Sequence, residues 1–81
     1  MITVGEICWV LVGGRDETPL RVVRGYVSER QLHLGDQLVR VRYDEDPGGG
    51  FDRNQLYHEH GVYRRRGEAE AQLALKLLEH G

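Results

Sequence analysis

Long apolar runs, paired cysteines and lysine are what this chain has least of. No apolar run in its 81 residues comes near the roughly 18 needed to span a bilayer, so no membrane role is expected. A single cysteine, Cys8, excludes an internal disulfide framework and, set in an apolar run, fits a reducing compartment. Residues 1–14 have no basic stretch and carry Glu6 before the longest apolar run, a poor secretory signal, so a cytoplasmic protein is expected. One Trp and one Phe limit the core to smaller side chains. A domain of this size buries only roughly 60–65% of the surface that its unfolded chain exposes.

Charge is abundant but balanced. Charged residues make up 30% of the chain, and 11 cations against 13 anions give a formal net charge of -2. That lacks the overall basic signature of a dedicated nucleic-acid binder. Lys76 is the one lysine and the other cations are arginines, whose planar forks suit carboxylates, phosphates and aromatic faces.

Periodicity divides the chain into a β-rich part and a helix within a single domain spanning 1–81. The run Ile7-Cys8-Trp9-Val10-Leu11-Val12, rich in β-branched residues, predicts a buried strand. A polar turn follows over 13–19, then a strand over 20–28 that Gly25 interrupts, as a bulged or strongly bent strand would. Residues 29–37 read as a loop or short edge strand ending in a turn at Gly35-Asp36. The clearest strand starts at Leu38, with Val39, Val41 and Tyr43 on one face and Arg40 and Arg42 on the other. Residues 44–50, with Pro47 and three glycines, make an exposed connection, followed by a short strand or 3₁₀ turn over 54–58 and a last short strand near 62–64. From Gly67 the period changes: Ala69, Leu73 and Leu77 recur every four residues, and Ala71, Ala74, Leu75 and Leu78 widen the apolar side of a helix over about 67–80.

Four or five short, bent strands within residues 3–64 resemble a small SH3-like barrel, and the alternative is a strongly bent antiparallel sheet; either is an α+β fold, mainly β, with one C-terminal helix. The stretch Leu56-Tyr57 followed by Gly61-Val62-Tyr63-Arg64-Arg65-Arg66-Gly67-Glu68-Ala69 resembles the tail of many small bacterial and phage proteins, and the size and self-contained design resemble those of proteins carried on phage genomes or integron gene cassettes. That tail usually places a capping Thr where this chain has Arg65, so helix entry here is expected to rest on Gly67 or neighbouring backbone. The resemblance brings no catalytic residues.

Chemistry-bearing motifs are sparse. His58 and His60 are spaced to share one face of a strand, but a metal site needs further ligands that the sequence does not nominate, and exposed loop histidines account for them. Asp44, Glu45, Asp46 and Asp52 lack the spacing of a calcium loop. Gly48-Gly49-Gly50 has no following Lys and opens no helix, so it cradles no phosphate. Cys8 is flanked by Ile7 and Trp9, as an inert core thiol would be, and the one serine, Ser28, has no nucleophile elbow around it. No catalytic residue, metal ligand or cofactor is nominated.

What remains is a surface. Arg21, Arg24, Arg40, Arg42, Arg64, Arg65 and Arg66, with Tyr26, Tyr57 and Tyr63, would form a binding patch for single-stranded nucleic acid if they converge; otherwise they form ordinary surface ion pairs. The leading expectation is a protein-interaction or self-assembling module, using the Leu73/Leu77 helix face or an open sheet edge along 38–43, from Leu38 to Tyr43. A nucleic-acid-binding module is the alternative, and a small enzyme with its site at an oligomer interface is the third.

Overall fold

The computed structural model describes residues 2–14, 19–44 and 53–80. The expected turn over 13–19 and the connection over 44–50 lie largely outside them. Four antiparallel strands, β1 (Ile7–Val12), β2 (Arg21–His33), β3 (Asp36–Tyr43) and β4 (Asn54–His58), form one sheet in the order β1-β2-β3-β4. A 3₁₀ turn (Glu59–Gly61) and a helix, α1 (Arg66–His80), follow. The fold is therefore small α+β, mainly β, with an unclosed four-stranded sheet.

Strand alternation decides which side chains meet. Cys8, Val10 and Val12 of β1, Val23 and Val27 of β2, and Val39, Val41 and Tyr43 of β3 line one face and are buried, with Ile2 folded over them and Tyr57 and Val62 packed against them. β-Branched residues suit such a core because their side chains are stiff and fit a pleated surface.

β2 must bend to pair with β1 and β3 together. Gly25 lies opposite both Cys8 and Tyr43, and a Cβ there would overlap the Arg42 carbonyl oxygen, so β3 approaches closely only because the side chain is absent. A register shift between Val27 and Glu29 adds a second irregularity. The edge formed by β1 is partly occupied: Trp9 and Tyr63 form an isolated antiparallel bridge, with N–H···O distances of 2.8 and 3.0 Å. The phenol of Tyr57 hydrogen-bonds the Tyr43 hydroxyl and donates to the Leu11 carbonyl at 3.4 Å, tying β3 and β4 to β1.

Three expectations change. Residues 29–37 form no separate loop or edge strand, because β2 continues to His33 and turns at Leu34-Gly35 directly into β3. Both turn residues have positive φ, 51° for Leu34 and 87° for Gly35, as the twist of a two-residue hairpin demands. Strand 38–43 is also not an open edge: it belongs to β3, which hydrogen-bonds to β2 on one side and β4 on the other. The last short strand expected near 62–64 is reduced to the single bridge at Tyr63. At the helix entry the Arg65 carbonyl accepts the N–H groups of Glu68 and Ala69 at 3.2 and 3.4 Å.

The backbone generates two predictions. Leu34 is 91% exposed and held in a conformation that costs a leucine more than an asparagine, so Leu34→Asn should stabilise the fold by about 0.5–1 kcal/mol, read as a higher Tm. Gly25→Ala should cost about 1–3 kcal/mol in denaturant unfolding, because the added methyl forces β2 and β3 apart.

Candidate functional site

The arginine–aromatic patch is only partly assembled. Strand register puts Ile7, Tyr26 and Arg42 in one row across the outer face of β1–β3, with Trp9 and Arg24 in the next row. Arg40 shares that face with Arg42, two residues away on β3. From outside the sheet Arg66 joins them: its guanidinium lies 5.7 Å from the centroid of the half-buried Trp9 ring, and that of Arg24 lies 6.0 Å away.

The other nominated residues lie elsewhere. Arg21 pairs in register with Val12, which places it on the opposite side of the sheet from Arg24. Arg64 turns to Glu6, and Arg65 is exposed at the helix entry. The Tyr57 hydroxyl is committed to Tyr43 and the Leu11 carbonyl, while Tyr63 is half-buried at the bridge. Desolvation pushes both phenols up in pKa; for Tyr57 the hydrogen bond to Tyr43 adds to the shift, and for Tyr63 the nearby Glu68 charge does.

Acidic partners take up much of the arginine charge. Arg24 pairs with Asp44 at 3.1 Å, Arg40 with Glu29 at 3.5 Å, Arg64 with Glu6 at 3.3 Å and Arg66 with Glu70 at 2.8 Å. These exposed pairs contribute little stability, but they flatten the potential that a phosphate backbone would feel. Glu6 is held below the usual carboxylate range, first by the Thr3 N–H and then by Arg64. Arg21, Arg42 and Arg65 form no ion pair among the described residues.

Helix α1 presents a different surface. It packs against β1 and β2, with Ala69 fully buried and Gln72 and Leu73 half-buried. At about 100° per residue, Ala71, Ala74, Leu75 and Leu78 fall on the side opposite Ala69. All four are exposed, Leu75 at 51% and Leu78 at 79%. The apolar side that the sequence presents as one broad face is thus two: Ala69 and Leu73 face the sheet, and a second stripe points away from it. Leu77, 56% exposed, lies at the border of the packed side.

No catalytic group emerges among the described residues. His58 and His60 stack at 5.4 Å, and no group of three or more metal-binding side chains occurs among the described residues. No helix there is long and apolar enough to cross a membrane. Sequence reading missed Trp9 as an outer-face residue; the signal was the alternation Ile7, Trp9, Leu11 against Cys8, Val10, Val12.

Cys8 is buried, and desolvation, helped by the charges of Asp44 and Glu6, pushes its thiol pKa up from 9.0 to about 12. Because the folded state favours the protonated thiol, its contribution to stability is fully present below pH 9.0 and is lost as pH rises towards about 12. The raised phenols of Tyr43 and Tyr57 begin to act the same way above pH 10.0. Thermal unfolding followed against pH should therefore show Tm falling from about pH 9, and Cys8→Ala, though less stable throughout, should move that onset towards about pH 10. In comparisons with protein-family models, curated proteins and solved structures, nothing matches this chain.

Proposed function

We propose that this protein is an interaction module that pairs with a second copy of itself through the outward stripe of α1, and that its β portion follows the SH3-like barrel plan. Support for that plan comes from the run of four antiparallel strands, the 3₁₀ turn and the return to β1 at the Trp9–Tyr63 bridge. The observation that carries the function is the second apolar stripe, because one stripe suffices to hold a surface helix on its own sheet.

The order of sizes along the stripe selects the partner. Ala71 and Ala74 come first, Leu75 and Leu78 last. An antiparallel two-fold pairing sets each alanine against a leucine of the other copy, so large fills small. A parallel pairing would set alanine against alanine and leave gaps. Four such side chains per copy bury less than the roughly 1,200–2,000 Å² of a standard interface, so the expected dissociation constant is on the order of tens of micromolar. The antiparallel arrangement also brings Glu68 of one copy towards Glu79 of the other, a repulsion that salt screens.

The nucleic-acid reading stands second. The Tyr26–Arg42 row beside Trp9 and Arg24 favours it, and the four carboxylate partners of its arginines weigh against it.

Sedimentation equilibrium over protein concentrations from about 5 to about 500 µM tests the proposal. The expected result is a monomer–dimer equilibrium that tightens from about 50 to about 500 mM salt and disappears in a Leu75→Glu, Leu78→Glu double variant with an unchanged circular dichroism spectrum. A protein that stays monomeric at the highest concentration, or a dimer that survives the double substitution, overturns it.

A further inference from the structure

A cleft of about 620 Å³ opens beside the packed side of α1, between the helix, the end of β1 and the 3₁₀ turn. We propose that it binds a small amphiphilic anion, a planar hydrocarbon body carrying one carboxylate. The volume lies within the roughly 300–1,000 Å³ of small-ligand sites. Leu11 and Leu20 supply an apolar surface and Tyr63 an aromatic one, while Gln72 and Lys76 of the helix and His60 of the turn bring donor groups to the same space.

The charge pattern gives the ligand its sign. Lys76 is the chain's one lysine, and it stands one turn beyond Gln72 on the packed side of α1, away from the outward stripe. It makes no ion pair among the described residues, whereas Arg24, Arg30, Arg40, Arg64 and Arg66 each meet a carboxylate. Among the described residues, no Asp or Glu lines this cleft. A smaller neighbouring hollow of about 410 Å³, beside Ile2 and Val62, shows the contrast: Arg64 and Arg65 share its wall with Glu59 and Glu68, so its charges are balanced from within. A lysine with no ion pair among the described residues, lining the same cleft as leucine and tyrosine residues, selects a ligand that is apolar at one end and anionic at the other.

The test is an amide chemical-shift titration of the labelled protein with 1-naphthoate and with its uncharged counterpart 1-naphthamide. Saturable shifts are expected around Leu11, Leu20, Gly61, Gln72 and Lys76, with the carboxylate bound about two- to fivefold more tightly than the amide, the gain a partly exposed ion pair gives. Lys76→Gln should abolish that preference while leaving the amide's affinity unchanged, and Lys76→Arg should keep it. Because the cleft and the outward stripe lie on different sides of α1, the Leu75→Glu, Leu78→Glu variant should bind naphthoate as the parent does, whatever its oligomeric state. Equal affinity for the two probes, shifts confined to the outward stripe of Ala71, Ala74, Leu75 and Leu78, or no saturation overturns the proposal.

Discussion

Everything in this fold depends on one strand serving two neighbours. β2 runs from Arg21 to His33 and pairs with β1 through its first half and with β3 through its second half and beyond, from Gly25 onwards. A straight strand of that length would lay the three strands flat and leave the valine face open to water. The bend near Gly25 and the register shift after Val27 curl the sheet so that Cys8, Val10, Val27, Val39, Val41 and Tyr43 enclose one another. A core built mostly of valine is thin, and the long tyrosine side chains span what the valines cannot: Tyr57 reaches from β4 to both Tyr43 and the Leu11 backbone.

That curl governs the surface as well. Residues pointing away from the valines are splayed on the outer face, where Ile7, Trp9, Tyr26 and Leu56 stand among arginines and their acidic partners. Such a mosaic of alternating charge and isolated apolar groups holds water well and offers no single-sign field for long-range steering. The helix differs in kind. Its outward side gathers its apolar groups in one line, and a contiguous line of apolar side chains is where association gains most per unit of area removed from water.

Much of the fold is legible in the sequence where a period is clean. Val39, Val41 and Tyr43 alternate with Arg40 and Arg42, and a period of two leaves little choice about which set is buried. In β1 the apolar run is continuous, so the same rule is silent, and Trp9 passes for core when it belongs outside. Gly35 signals the turn, but the sequence places it one residue late, at Gly35-Asp36, because leucine carries no turn signal and only the pairing of β2 with β3 forces Leu34 into a left-handed conformation. Of the patch, strand parity already separates Arg21 from Arg24. The pairs Glu6–Arg64 and Glu29–Arg40 depend on register and chain return, which no local pattern encodes. The helix is legible as an element, but the division of its leucines into a packed and an outward set follows from how it docks on β1 and β2.

The bridge between Trp9 and Tyr63 has a dynamic side. It joins segments separated by most of the described chain, and closing so large a loop carries an entropy cost that neighbouring hairpin contacts do not. The hairpin of β2 and β3, with its short turn, can form locally, whereas the bridge forms only after the sheet has curled. On the reverse path it is a natural first point of opening: parting two backbone hydrogen bonds and the Tyr57–Leu11 contact frees the β1 margin while every strand ladder stays intact. Since α1 begins three residues beyond Tyr63 and packs on β1, the helix would swing away in the same event. Any opening along this seam would also part Ala69 from its packing and Arg66 from the Trp9 ring.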